Sequence, residues 1–303
     1  MSILYGQGVT MTDAGELDPP RTSGPRFTTQ LLKWVGNKQR MAPEIISFFP
    51  DHWETYHEPF LGAGGVLGTL APQRAIAADA LAPLIDIWTM LARDPGRLIA
   101  AYAHYRDQFE DHEGKRAVYA AALADYNRAP SGESLVFIAR ACYGGVIRFR
   151  KNDGSMSTPC GAHMPITTTS FASRVHMWHQ RVTGTAFYAR DFRQSLAEAR
   201  AGDVVYCDPP YSDSQKILYG AQGFSLQELV AEIDRAKERG VKVLLSIDGT
   251  KKSGLKEVLH DFPPTLFERE AAVTVGRAML RRFQRGGASL EDEVVRDRLL
   301  LTY

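Results

Sequence analysis

The chain has 303 residues, 44% of them hydrophobic and 23% charged, which suits one large domain or one domain carrying a sizeable insertion. A net charge of +1 favours no class of partner by itself, so an argument from charge must rest on where the charges lie. No apolar run is long enough to span a bilayer. The three cysteines, Cys142, Cys160 and Cys207, make no Cys-x-x-Cys pair, so neither a disulfide framework nor a metal site is expected.

Residues 1–26 lack the basic start and apolar stretch of a secretion signal and are rich in Gly, Pro, Thr and Asp. We read them as a flexible lead-in and expect a cytoplasmic protein. Asn37 to Phe49 has Met41, Ile45, Ile46 and Phe49 at helical spacing. Thr55 to Phe60 reads as a short strand that breaks at a glycine-rich turn, Leu61 to Gly65, before a helix from Val66 to Leu70. Ala75 to Ala78 is a strand ending on Asp79, and a long helical stretch follows from Leu81.

From about residue 92 to 180 the strand–helix alternation is lost. Helical segments lead to Ala141-Cys142-Tyr143-Gly144-Gly145-Val146 and then to a polar loop through Asn152, Asp153, Gly154 and Ser155. Between Arg140 and Arg181 six basic residues (Arg140, Arg148, Arg150, Lys151, Arg174, Arg181) face one acid, Asp153. Arg277, Arg281, Arg282 and Arg285 form a second basic patch. Such clusters suit a surface that tracks phosphates, and equally a solvated basic face.

Alternation resumes with a strand at Ala186 to Tyr188, a helix at Gln194 to Arg200 and a strand at Val204 to Cys207. Further on come a helix at Leu226 to Arg239, a strand at Val241 to Ile247 and a helix near Leu255 to Leu259. Two last strands, near Leu266 to Val275 and Val294 to Tyr303, are joined by a basic, Gly-containing turn. This order predicts a doubly wound α/β fold, a mostly parallel sheet with helices on both faces and an antiparallel C-terminal hairpin at its edge.

Chemistry concentrates where an apolar strand runs into Asp208-Pro209-Pro210-Tyr211. Open parallel sheets bind ligands at the carboxyl ends of their strands. A carboxylate there can accept one N–H of an exocyclic amine, and the Pro209 carbonyl a second. The two acceptors draw a nearly planar nitrogen toward tetrahedral geometry and stabilise the positive charge that develops on it. The prolines fix the backbone and add no competing donor, and Tyr211 offers a face on which an extruded base can stack. The plain alternative is a strand ending in a Pro-rich turn with a solvent-facing acid.

Glu58-Pro59-Phe60-Leu61-Gly62-Ala63-Gly64-Gly65 is a turn that lets backbone approach a cofactor, although it lacks G-x-G-x-x-G spacing and so disfavours a nicotinamide enzyme. Asp79, at the next strand end, can hold ribose hydroxyls or cap the following helix. In Leu32-Lys33-Trp34-Val35-Gly36-Asn37-Lys38-Gln39, Lys38 is placed to pair with a carboxylate. In Arg190-Asp191-Phe192 the acid can accept from an adenine amine and the ring can pack on the base, or the two can be a helix cap and a core residue.

Taken in order, these motifs resemble the Dam-type DNA adenine methyltransferase family over roughly residues 30 to 303, least so between about 92 and 135. The resemblance implies a Rossmann-like methyltransferase fold with a seven-stranded sheet and a mainly helical target-recognition insertion. It implies residues 27–91 and 181–303 as the catalytic domain and 92–180 as the recognition domain. S-adenosylmethionine would be the methyl donor, leaving S-adenosylhomocysteine, with Trp34, Lys38, Glu58, Phe60, Gly62, Gly64, Asp79, Asp191, Phe192 and Asp208 around it. Asp208, Pro209, Pro210 and Tyr211 would hold the target base. Tyr143, Arg148, Arg150, Lys151 and Asn152 would contact double-stranded DNA.

The chain departs from that pattern at Asn37, where a second glycine is frequent, and in its loop after Tyr143. The motif alone leaves the cytosine amine, an RNA base or a silent DNA-binding module as alternatives. It also leaves open a cognate restriction endonuclease, and a monomer or weak dimer. Pro159-Cys160 matches the dipeptide of carbon-5 cytosine methyltransferases, but it sits in the insertion without the acid-bearing motif that such chemistry needs.

Overall fold

Seven strands build one sheet: β1 (Tyr56–Glu58), β2 (Ala75–Asp79), β3 (Thr185–Ala189), β4 (Val204–Cys207), β5 (Lys242–Asp248), β6 (Arg269–Gly276) and β7 (Val295–Leu301). The computed structural model describes residues 27–210, 224–248, 250–251, 256–257, 262–276 and 295–303. Across the sheet the order is β3-β2-β1-β4-β5-β7-β6. The first five strands pair in parallel, and β7 runs antiparallel between β5 and β6. The expected doubly wound sheet with a C-terminal hairpin at its edge is therefore what the chain forms. The direction of winding reverses between β1 and β4, so a crevice opens at their carboxyl ends.

The helices are α1 (Ala42–Ser47), α2 (Gly65–Leu70), α3 (Ala82–Arg93), α4 (Pro95–Arg106), α5 (His112–Arg128), α6 (Gly132–Ala141), α7 (Thr168–Arg181), α8 (Phe192–Glu198) and α9 (Leu226–Glu238). Alternate strand residues face opposite sides of the sheet, and the core divides accordingly. Val204, Tyr206 and Leu244 pack with the large aromatic core of α3 to α7, whereas Val205, Cys207, Val243 and Leu245 pack with α8 and α9. Residues 92–180 thus share one apolar core with a face of the sheet. None of the helices among the described residues is long and apolar enough to cross a membrane.

Two expected helices change. Asn37 to Phe49 is helical only over Ala42–Ser47, because Pro43 belongs in a first turn and would clash with the carbonyl four residues back in a longer helix. Residues 37–41 instead turn back, with the Gln39 N–H bonded to Asn37 Oδ1 and the Met41 N–H to the Lys38 carbonyl. The helix near Leu255 to Leu259 is absent among the described residues: Lys256–Glu257 is extended and pairs with Thr250–Lys251 in a short ladder outside the main sheet. Its neighbours, and Arg277, Arg281, Arg282 and Arg285, lie outside the described residues.

Candidate active site

At the crevice, a cavity of about 280 Å³ is lined by Trp34, Lys38, Glu58, Phe60, Gly62, Asp79, Asp191, Phe192, Asp208, Pro209 and Pro210, all of them expected, together with Val35, Gly36, Asn37, Tyr206, Arg193 and Phe224. Tyr211 lies outside the described residues. Gly64 does not line the cavity. It caps α2 with a φ of +60°, and a Cβ there would stand 2.8 Å from the Trp88 ring.

The glycine turn is held from two sides. Gly62 adopts φ +48°, which favours glycine. Its N–H donates to Asp79 Oδ2 at 3.0 Å, and its carbonyl accepts from Trp88 Nε1 at 3.1 Å. Trp88 is fully buried and stacks on Phe187 of β3. The indole of Trp34 lies 3.6 Å from where a Gly62 Cβ would be. Asp79 Oδ1 also accepts the Leu81 N–H at 3.0 Å, so one side chain holds both the glycine turn and the approach to α3, whose N-cap, Leu81, has no side-chain capping bond. Burial pushes its carboxyl up, against those backbone bonds.

Asp208, at the end of β4, receives Lys38 Nζ at 2.7 Å, and the same ammonium stands 3.5 Å from Asp297 of β7. Lys38 and Asp297 are both buried. Beneath them Glu58 accepts the Tyr56 hydroxyl at 2.7 Å and the Leu67 N–H at 3.0 Å. Burial, with a smaller contribution from the Asp208 charge, pushes the Glu58 carboxyl up to about 8 despite those two bonds. Glu58 is thus poised to be neutral beside an acid that is tied to a cation.

The far wall is aromatic. Phe60 stacks on Phe192 with centroids 5.4 Å apart, and Phe224 meets both edge-on at 5.9 Å. Asp191 caps α8 through the Arg193 N–H at 2.9 Å and is gripped by the Arg193 guanidinium, Nε at 2.7 Å. Asp191 is thus a helix cap that also borders the cavity.

The five residues expected to meet DNA lie away from the cavity, on one hairpin. Phe149 bridges Met156, the Arg150 N–H donates to the Ser155 carbonyl at 2.8 Å, and Arg148, Arg150, Lys151 and Asn152 are exposed, as is Tyr143. One joint connects hairpin and cavity. The Val35 N–H donates to the Gly145 carbonyl at 3.2 Å, and a Cβ on Gly145 would fall 2.8 Å from the Lys33 carbonyl carbon.

Trp88, Phe224, Arg193 and Asp297 belong to none of the sequence motifs. For Asp297 a signal exists, since an acid stands just before the apolar run Leu299 to Leu301. Phe224 and Trp88 carry none, because a lone aromatic within or beside a helix is ordinary core material.

The sequence is similar to those of known proteins. A family model described as D12 class N6 adenine-specific DNA methyltransferase matches residues 34–274. The DNA adenine methylase of Serratia marcescens is 29% identical over 269 residues, covering 83% of this chain and 93% of that protein. The DNA adenine methylase of Vibrio cholerae serotype O1 is 28% identical over 228 residues, 71% of this chain and 79% of that protein. A Type II methyltransferase of Lactococcus lactis subsp. cremoris is 26% identical over 243 residues, 75% of this chain and 83% of that protein.

Proposed function

The chain belongs to the D12 class of N6 adenine-specific DNA methyltransferases, and from that premise we propose that it takes its methyl group from S-adenosylmethionine held in the β1–β4 crevice, with Asp208 as the acceptor for the target amine. The observation that carries the reading is the convergence of Asp208, Pro209 and Pro210 with the Gly62 turn and Asp79 on one cavity.

The residues present fit that cofactor. Each Asp79 oxygen accepts one backbone N–H and keeps capacity for a second bond, which suits the two hydroxyls of a ribose. Phe60, Phe192 and Phe224 offer flat apolar faces to an adenine ring, with Asp191 at their border to accept from its amine. Trp34, Lys38 and Glu58 border the remainder, and Gly62 lets the backbone come close. When bound, the cofactor supplies a methyl on a positively charged sulfur.

The chain's own residues then do the rest. Asp208 and the Pro209 carbonyl accept the two amine hydrogens of an adenine flipped from the duplex, align the nitrogen lone pair with the incoming methyl and stabilise the charge that develops. Transfer would be a direct in-line displacement that needs no covalent enzyme intermediate. Tyr211 would stack on the flipped base. Residues 27–91 with 181–303 act as the catalytic part. Residues 92–180 act as the recognition part, with Tyr143, Arg148, Arg150, Lys151 and Asn152 toward double-stranded DNA. Arg suits guanine and Asn suits adenine in a major groove, while phosphate contact would position without reading sequence.

The test is incubation of the purified chain with labelled cofactor and unmethylated duplex DNA of diverse sequence, followed by digestion to nucleosides. Label should appear in N6-methyladenine. Label confined to N4-methylcytosine, or transferred only to RNA, overturns the reading.

A further inference from the structure

Cys142 and Cys160 face each other across the base of the hairpin that carries Tyr143 to Asn152. They are partners in an isolated antiparallel bridge. The two hydrogen bonds that define it flank the pair, from the Gly161 N–H to the Ala141 carbonyl at 2.8 Å and from the Tyr143 N–H to the Pro159 carbonyl at 2.9 Å. This is the pattern of a non-hydrogen-bonded pair, whose Cα atoms stand about 4.5 Å apart with both side chains on one face. A disulfide spans Cα separations of about 4.4–6.8 Å.

The surroundings agree. Tyr119 is buried, and its hydroxyl donates to the Thr158 carbonyl at 2.9 Å, two residues before Cys160. Its phenol is pushed up by burial first and then by the nearness of both cysteines, so both thiols share this neighbour. Each is a free thiol, Cys142 Sγ donating to the Ala139 carbonyl at 3.5 Å and Cys160 Sγ to the Gly161 carbonyl at 3.7 Å.

We propose that Cys142 and Cys160 are a reversible disulfide site that reacts with a small disulfide oxidant of the glutathione-disulfide class. Cys160 is only half-buried and is the thiol that an oxidant can reach, whereas Cys142 is buried. The Cys160 thiolate attacks one sulfur of the oxidant, breaks its S–S bond and expels one small thiolate. Cys142 then loses its proton, attacks the Cys160 sulfur of the mixed disulfide and expels the second. The two protein thiols give up two electrons and two protons, and the oxidant leaves as two thiols. The ring so closed contains the whole hairpin, including Tyr143, Arg148, Arg150, Lys151 and Asn152. Cys207 sits in β4 opposite Leu245 and provides an internal control.

The test uses the full chain equilibrated in graded glutathione buffers, alkylated and mapped as peptides without reductant; it does not depend on methyl transfer. The expected result is a linked pair of peptides holding Cys142 and Cys160, an alkylated Cys207 and full reversal by dithiothreitol. Backbone amides between the two cysteines should exchange about tenfold more slowly in the oxidised form, because the closed ring restrains local opening. The Cys142→Ser variant should stop at a mixed disulfide on Cys160. Three thiols still alkylatable in the most oxidising buffer, a wild-type chain that halts at the mixed disulfide, or a link between two chains would each overturn the proposal.

Discussion

Lys38 and Asp208 stand 170 residues apart in the chain and hold each other at 2.7 Å. The pair ties the turn before α1 to the carboxyl end of β4, and Asp297, 3.5 Å from the same ammonium, adds β7 to the knot. Three distant segments are thereby registered on one ammonium. An ionised carboxylate only accepts hydrogen bonds, so Lys38 and an amine substrate are donors to the same group.

From that arrangement, Asp208→Ala should lower kcat for adenine methylation by about a hundredfold to a thousandfold, the usual scale for removing a group that stabilises developing charge. Cofactor binding, measured by calorimetry, should change far less, because the glycine turn and Asp79 stay in place. Activity within a few-fold of the parent would remove Asp208 from the role given to it.

Glu58 should make stability fall with rising pH. Its carboxyl is raised from 4.5 to about 8 in the folded chain, chiefly by burial, so the folded state holds a proton there that the unfolded state releases. Stability from this group is therefore full below about 4.5 and is lost as pH climbs to about 8. Glu58→Gln keeps an oxygen to accept from Tyr56 and Leu67 and cannot ionise. Its thermal midpoint should drop less than the parent's between pH 5 and pH 9, by roughly 5 °C. Parallel pH curves for the two proteins would contradict the assignment.

At Gly64 the backbone has φ +60°, and an added Cβ would sit 2.8 Å from the Trp88 ring. Trp88 cannot yield without disturbing its bond to the Gly62 carbonyl, which holds the turn. Gly64→Ala should therefore cost about 1–3 kcal/mol of stability and weaken cofactor binding as well. A denaturant titration and a binding isotherm that both match the parent would show the turn to be more tolerant than its geometry allows.

Arg148, Arg150 and Lys151 are exposed on the hairpin. If they meet phosphates, replacing each by Ala should weaken DNA binding on every sequence alike and reduce the slope of log affinity against log salt by about 0.9 for each phosphate no longer neutralised. A loss confined to one DNA sequence, with the slope intact, would instead mark that residue as a base reader. Cofactor affinity should not move in either case.

Much of this site is legible in the sequence, for a physical reason. Val204 to Cys207 can be read as a buried strand because four apolar residues run straight into an acid and two prolines, and no other local structure suits that order. Gly62, Asp79 and Asp191 are likewise strand-end residues, whose position follows from the alternation alone. The α1 boundary is misread because Met41, Ile45, Ile46 and Phe49 keep helical spacing and the polar run Asn37 to Arg40 holds no helix breaker, while Pro43 and the turn that delivers Lys38 override it. Asp297 reaches Lys38 through the β5–β7 pairing and Phe224 reaches the cavity from outside the motifs, relationships that no short window of sequence contains.

The hairpin and the cavity meet at Gly145, and this joint is where recognition can be coupled to chemistry. Gly145 has φ +70°, and a Cβ there would lie 2.8 Å from the Lys33 carbonyl carbon and 2.9 Å from the Trp34 nitrogen. Backbone, unlike the end of a flexible side chain, cannot swing aside, so Gly145→Ala must displace the Lys33–Trp34 segment or the hairpin. Trp34 borders the cavity and the hairpin bears the exposed cations, so the substitution should raise the Kd for both cofactor and DNA, by about tenfold for a strain of roughly 1.4 kcal/mol. Arg148→Ala, by contrast, should affect DNA alone. Measuring both affinities for both variants separates a shared joint from two independent sites, and a Gly145→Ala protein impaired toward DNA only would show that the joint does not transmit.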